Sequence, residues 1–285
     1  SIRVMTMSCE ELILTYDIGT TGNKCTIFDA YGRRLHSETL AYKTLYPRPG
    51  WAEQDPRDFW VSVVTGTRLL LEKRAINPSR IAVIGLSGHM NGCIPVDGEG
   101  NVLFNDIIHS DCRSGKECSE ILKVADNMEI YRITGNRIDP HYTLPKILWL
   151  KNEYPDVYKS TAFILNSKDY ISFMLTGKLG ITDFSDASLT CMLDIGRRCW
   201  SRELVNDAGI DFQKLPEIRK SYDLAGYVTH HAANVLGLAE GTPVVVGGGD
   251  GACAARGAGI SKKGEAYNYI GSSSWISTLN DSPVI

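Results

Sequence analysis

The chain lacks most of the features that assign a protein quickly. Its eight cysteines stand singly at Cys9, Cys25, Cys93, Cys112, Cys118, Cys191, Cys199 and Cys253, with no C-x-x-C pair among them. The spacings of structural zinc sites and thiol redox motifs are therefore missing, and the bland reading is buried thiols in a reducing compartment. No apolar run approaches the about 20 residues that span a bilayer. The opening Ser1-Ile2-Arg3-Val4-Met5-Thr6-Met7 has no apolar h-region, which argues against a secretory signal. Residues 1–10 read as a leader that contains a native start at Met5 or Met7. A net charge of -3 carries no pull toward nucleic acid or anionic membrane. No G-x-x-x-x-G-K-[ST] occurs, which excludes a P-loop kinase. A cytoplasmic enzyme is the expectation.

What is present is an ordinary globular composition: 285 residues, 43% hydrophobic and 22% charged, enough for one or two domains and a large core. Two stretches repeat one pattern. Leu12 to Tyr16 runs into Asp17-Ile18-Gly19-Thr20-Thr21-Gly22 and then Lys24 to Asp29; Ala266 to Ile270 runs into Gly271-Ser272-Ser273-Ser274 and then Trp275 to Leu279. Each reads as strand, Gly-hydroxyl turn, strand, a hairpin whose amides and hydroxyls suit a phosphate. Arg34 to Tyr42 alternates as a third antiparallel strand. Asp55-Pro56 opens an amphipathic helix through Phe59, Val63 and Leu70. Ile81 to Ser87 reads as a strand buried on both faces, residues 111–150 as mostly helical, Tyr158 to Leu165 as a strand, and Lys168 to Leu175 as a helix stopped by Gly177. Pro243 to Val246 is a last strand before Gly247-Gly248-Gly249-Asp250-Gly251, after which small residues form a helix able to pack closely. Hairpin strands followed by strand–helix alternation predict a mixed-sheet α/β protein.

Several residues have the chemistry of a site. Asp17, beside a hydroxyl-rich turn, suits Mg²⁺, with Gly19, Thr20, Thr21 and Gly22 toward phosphate; the alternative is a turn-shaping Asx residue. Asp250 follows a buried strand at the point where side chains enter a crevice, and suits proton abstraction from a hydroxyl; the alternative is a helix N-cap. Gly249-Asp250-Gly251-Ala252-Cys253-Ala254 also fits G-x-G-x-x-A, but no acid follows at the dinucleotide spacing, so an NAD-dependent oxidoreductase is a minor reading. The loop Ser87-Gly88-His89-Met90-Asn91-Gly92 suits a polyhydroxylated ligand; the alternative is a polar loop with a turn-forming Asn-Gly. Asp111 and Arg113, two apart, read by themselves as a surface salt bridge of little worth.

Taken in order, these segments resemble the FGGY family of carbohydrate kinases, its xylulokinase-like members above all. The resemblance rests on Tyr16 to Gly22, Trp51-Ala52-Glu53-Gln54-Asp55-Pro56, Gly85 to Gly92, Asp111-Cys112-Arg113, Ile133-Thr134-Gly135-Asn136, Lys168-Asp169-Tyr170, Ser185-Asp186-Ala187 and Gly248-Gly249-Asp250. It implies an actin-like ATPase, ribonuclease-H-like α/β fold: a mixed sheet flanked by helices, with ATP and sugar in a cleft between two domains. Residues 11–256 would be the sugar-binding N-terminal domain and 257–285 the truncated beginning of the ATP-binding C-terminal one. By this resemblance Asp250 is the general base, Asp17 organises Mg²⁺ and phosphates, and Gly271, Ser272 and Ser273 form a second phosphate turn. Met90, Asn91, Asp250 and Gly251 would lie against the sugar, with His89, Asp111 and Arg113 near it. ATP, Mg²⁺ and a sugar are the implied ligands, with no nucleic acid or membrane partner, and homodimers are common among such kinases.

The chain departs from the xylulokinase pattern at three substrate-wall positions. Asn91 stands where His is common, Gly251 where Asn is common, and His109-Ser110-Asp111-Cys112-Arg113 where the family reads Trp-Asn-Asp-x-Arg. The arginine–glutamate pair of glycerol kinases is missing from the loop after Gly85. The expectation is ATP-dependent phosphorylation of a xylulose-like ketose or a related polyol. The alternative is a sugar-binding half without kinase activity of its own.

Overall fold

The computed structural model describes Ser8, residues 10–270 and residues 274–282. The expected phosphate turn at Gly271, Ser272 and Ser273 lies outside the described residues. Strands β1 (Leu12–Ile18), β2 (Gly22–Asp29) and β3 (Arg34–Ala41) form an antiparallel meander. Period-two alternation in β1 buries Leu12, Leu14, Tyr16 and Ile18 on one face and leaves Ile13, Thr15 and Asp17 half-buried on the other. Strand β4 (Ile81–Gly88) joins β1 in parallel, and β5 (Leu224–Tyr227), β6 (Pro243–Val245) and β7 (Gly248–Gly249) complete the sheet. The order is β5-β6-β4-β1-β2-β3, with β7 continuing alongside β4. This is a mixed sheet, and β4 is buried on one face only: Gly85 and Ser87 share the half-buried face of Asp17.

Helices cover the buried face. In α1 (Pro56–Lys73) the Asp55 carboxylate accepts from the Arg57 amide and Pro56 occupies the first turn, as the sequence predicts. Helix α1, with α3 (Ser167–Thr176) and α5 (His230–Leu236), packs Phe59, Val63, Leu70, Ile171 and Leu236 against the sheet's Leu14, Tyr16 and Ile84. Gly177, at φ +67°, stops α3. A second core gathers Ile130, Ile147, Trp149, Leu150 and Leu204 around α2 (Thr143–Glu153). Two further helices, α4 (Phe184–Ser188) and α6 (Asp250–Gly257), lie along the chain on either side of α5.

Two local expectations change. The strand expected over Tyr158 to Leu165 shortens to Phe163–Leu165, because Pro155 opens a helix, Pro155–Ser160, that runs into it. Helix α6 forms and packs beside β4 and β7, but none of its residues is fully buried, because its small side chains offer little apolar area. The hairpin β8 (Ala266–Ile270) and β9 (Ser274–Thr278) is a separate two-stranded sheet with Tyr269 stacked on Trp275 at 4.0 Å. Ile270 and Ile276 on it are 80% and 74% exposed. Among the described residues no helix is long and apolar enough to cross a membrane.

Candidate functional site

The register of the sheet assembles the site. Asp17 pairs with Ser87 and Ile18 with Gly88, while Gly248 and Gly249 pair with the same Ser87 and Gly88. Three strands thus end side by side, and Asp17 and Asp250 emerge at one carboxyl edge, where α/β sheets bind ligands. The Asp17 carboxylate has no hydrogen bond or ion pair among the described residues. The turn after it is held from behind. Gly19 N–H donates to Gly22 O at 3.1 Å, Gln54 Nε2 to the Thr20 carbonyl at 2.7 Å, and the Tyr42 hydroxyl to the Gly19 carbonyl. The Thr20 and Thr21 hydroxyls keep no partner among the described residues. Gly22 admits no side chain, since a Cβ there would lie 2.5 Å from the Leu40 carbonyl oxygen.

Asp250 is the first residue of α6; the cap position belongs to Gly249, so the carboxylate is not the N-cap. Its Oδ1 accepts from the Gly251 amide at 2.7 Å. Burial pushes its carboxyl above the usual range and the Asp17 charge adds to this, while His89 and the Gly251 amide oppose it. The backbone before it is anchored: Gly249 N–H donates to Ser185 Oγ at 2.8 Å, and Ser185 Oγ donates to Asp183 at 2.5 Å. Asp183 in turn meets Lys168 Nζ at 3.0 Å, and the same buried ammonium reaches Asp169 at 2.6 Å and Asp186 at 2.9 Å. Burial works against the Asp183 charge, yet Lys168 and the Ser185 donors outweigh it and hold that carboxyl low. Asp186 goes the other way: burial dominates, and neither oxygen receives a well-aligned hydrogen bond.

The substrate loop is clamped from several sides. His89 is buried, with Nδ1 3.1 Å from the Ile18 carbonyl and Nε2 3.0 Å from Asp106 Oδ2. Both nitrogens are engaged, so His89 ties the loop to the end of β1. Asn91 sits at φ +64°, a left-handed conformation that asparagine tolerates, and its buried Oδ1 lacks a partner. Lys146 Nζ donates to the carbonyls of Asn91 at 2.6 Å, Ile108 at 2.9 Å and His141 at 2.9 Å. Full burial pulls the Lys146 ammonium down to about 8. Met90 lies over Gly249, where a Cβ would come within 2.6 Å of its Sδ.

Asp111 and Arg113 overturn the bland expectation of a surface ion pair. Both side chains are fully buried; Arg113 forks onto Asp111 at 2.7 to 3.0 Å and reaches Glu53 at 2.8 Å. Its guanidinium lies 3.9 Å from the Trp51 ring, and Asp111 Oδ2 accepts from the Ala52 amide at 2.6 Å. These groups spend their hydrogen bonds on the protein and hold the loops that Lys146 ties to Asn91.

Residues 12–257 match the model for the FGGY family of carbohydrate kinases, N-terminal domain. The chain belongs to the FGGY family. It is 34% identical over 262 residues to a xylulose kinase of Bacillus subtilis strain 168, covering 92% of this chain and 52% of that protein. The chain therefore spans about half the length of the curated relatives it matches. Among solved structures it is similar to ligand-bound xylulose kinase from Lactobacillus acidophilus, with TM-score 0.90 and 28% identity over 96% of this chain and 55% of that one. It is also similar to Plasmodium falciparum glycerol kinase with ADP, with TM-score 0.85 and 26% identity over 93% and 54%. The FGGY fold is the actin-like ATPase fold.

Within this FGGY chain the structure brings together Asp17, the Gly19–Gly22 turn, Met90, Asn91, Asp250 and Gly251. Sequence reasoning missed Asp106, Lys146, and the buried path from Lys168 through Asp183 and Ser185 to Gly249. One signal for Lys146 was available: it is the one charged residue in the otherwise uncharged run from Thr143 to Leu150. Among the described residues no group of three or more His, Cys, Asp or Glu side chains is placed to hold a metal.

Proposed function

We propose that this chain is the sugar-binding part of a cytoplasmic kinase that transfers a phosphoryl group from ATP to a hydroxyl of a ketose or polyol. The observation that carries the reading is the convergence of Asp17 and Asp250 at adjoining strand ends, one carboxylate unpaired and the other pushed up by its surroundings. Phosphoryl transfer asks the protein mainly for positioning and charge neutralisation. Asp250 accepts the proton of the attacking hydroxyl through the carboxylate oxygen that the Gly251 amide does not occupy. A raised carboxyl strengthens that base. Met90 supplies an apolar wall and the unmet Asn91 Oδ1 an acceptor for a substrate hydroxyl.

The Gly19–Gly22 turn, with its two free threonine hydroxyls, receives phosphate oxygens. An unpaired carboxylate beside them fits Mg²⁺, which takes few protein ligands and completes its shell with phosphates and water. Asp17 would hold that ion, which neutralises phosphate charge when bound. The three substrate-wall departures favour another xylulose-like ketose or a related polyol over D-xylulose itself. Asp17→Ala should raise the Mg²⁺ concentration for half-maximal ATP use by about tenfold or more, the scale of one lost charged ligand. An unchanged metal dependence would instead assign Asp17 to shaping the turn.

A second reading follows from length, because the chain covers 52% of its first curated relative. In it the chain binds sugar but does not turn over alone, and the adenine site comes from elsewhere. A screen of ketoses and polyols, read both by calorimetry and by ADP release from ATP, separates the two. Sugar-dependent ADP release supports the kinase reading for the chain alone. Saturable sugar binding with no release supports the binding half, and neither signal with any sugar or polyol would sink both.

A further inference from the structure

Outside the site just described, two loops bring together a nucleophile, a base and an orienting acid. Cys112 is exposed, and its Sγ lies 3.4 Å from His141 Nε2. The other ring nitrogen, Nδ1, faces Asp139 Oδ1, and the His141 amide donates to the same carboxylate oxygen at 3.0 Å. The tautomer follows from the partners: Nδ1–H donates to the carboxylate, which leaves the Nε2 lone pair toward the thiol. Burial would raise the Asp139 carboxyl, but the two donors of His141 outweigh it and keep the acid below its usual range.

The support behind the three is rigid. Lys146 holds the His141 carbonyl at 2.9 Å, Ser114 Oγ donates to the Pro140 carbonyl at 3.2 Å, and the Cys112 amide donates to the Gly50 carbonyl at 2.8 Å. His141 and Asp139 are 48% and 49% exposed, so a small reagent reaches the sulfur without opening the fold. Nothing in the proposed phosphoryl transfer uses these residues. Other thiols differ: burial pushes Cys25, Cys93 and Cys118 up to about 12, and Cys199 is exposed but has no histidine beside it.

We propose that Cys112, His141 and Asp139 form a thiol-modification site that takes small-molecule disulfides. His141 Nε2 removes the Sγ proton, and the sulfur attacks one sulfur of R–S–S–R. The S–S bond breaks as the Cys112–S–S–R bond forms, and the departing R–S⁻ takes the proton back from the imidazolium. One disulfide is consumed, one thiol is released, and no other oxidant is needed. Asp139 fixes the ring so that Nε2 faces the sulfur, the orienting role of the third member in a nucleophile–base–acid arrangement.

The experiment exposes the 285-residue chain to oxidised glutathione, quenches with acid at intervals, and measures glutathione occupancy at each cysteine by peptide mass mapping. Cys199 is the internal reference for an exposed thiol without a base. Cys112 should gain the adduct at least about tenfold faster than Cys199, a cautious fraction of what a positioned base supplies. His141→Gln, which keeps the volume but not the basic nitrogen, should bring the ratio close to one, and Asp139→Asn should lower it several-fold. Equal rates at Cys112 and Cys199 in the unaltered chain would overturn the proposal. So would a ratio that His141→Gln leaves unchanged. Labelling of buried Cys93 and Cys191 in the same samples reports any loss of fold, and Asp139→Asn then supplies the deciding comparison.

Discussion

Asp250→Asn should lower sugar-dependent ATP turnover by about 10²- to 10⁴-fold, the usual worth of a positioned general base, while sugar affinity changes little. The amide keeps the shape of the carboxylate, and its oxygen can still accept from the Gly251 amide. What it loses is the capacity to take a proton. Stability should move the other way. Asp250 is held above the ordinary carboxylate range by burial and by the charge of Asp17, so its ionised form is disfavoured in the folded chain. A carboxyl raised on folding costs stability at a pH above its folded value, and that cost disappears as the pH falls to the unfolded value. The Asn variant should therefore be at least as stable as the parent chain at pH 8, with the advantage shrinking on acidification toward pH 4. Urea melts at the two pH values measure this on the 285-residue chain, and turnover of the most active substrate measures the rate. Retention of most of the turnover would remove Asp250 from the chemistry. A variant much less stable at pH 8 would show that the carboxylate is structural.

How much of this was legible beforehand depends on the range over which each interaction acts. The meander β1 to β3, the Asp55–Pro56 start of α1 and the Gly177 stop of α3 are local, written in alternation, caps and a left-handed glycine. The placement of Asp17 and Asp250 at a site edge was also readable, since each follows a strand and precedes a turn or helix. Their adjacency was not, because it depends on the parallel register of β4 between them, a pairing across more than sixty residues of sequence from Asp17 to Ser87. Arg113 shows the same limit. Two residues apart from Asp111, it reads as a surface pair, and only the folded chain brings Glu53 and Trp51 around it. His89 reads as part of a loop suited to a polyhydroxylated ligand, and the sequence does not show that Asp106 and the Ile18 carbonyl, far apart in sequence, engage both its nitrogens. Buried polar partners come from distant segments, so periodicity and short motifs do not report them.

The buried ammonium of Lys168 carries the largest structural consequence. Its three carboxylate partners, Asp169, Asp183 and Asp186, are all buried and lie within 3.0 Å of it. Burial alone would discharge the lysine, yet the three acids outweigh it and hold the ammonium firmly protonated. Removing the cation leaves negative charges with no counterion in a medium that solvates them poorly. Lys168→Met should then cost about 3–5 kcal/mol, the range for breaking a buried ion pair from one side. For a chain of this size that corresponds to a melting temperature lower by roughly 10 °C. The cost should be greatest at high pH. Asp186 and Asp169 are already raised by burial, and without Lys168 they rise further, so acid neutralises them first and restores part of the loss. Adding Asp186→Asn to Lys168→Met should recover some stability at neutral pH, because it removes the acid with the poorest hydrogen bonding. The cluster also reaches the chemistry, since Asp183 holds Ser185 and Ser185 holds the Gly249 amide one residue before Asp250. Ser185→Ala frees that amide while leaving Lys168 paired, and should lower turnover more than it lowers the melting temperature. If Lys168→Met melts within about 1 kcal/mol of the parent at pH 8, the acids are neutral in the folded chain and the cluster is no ion pair.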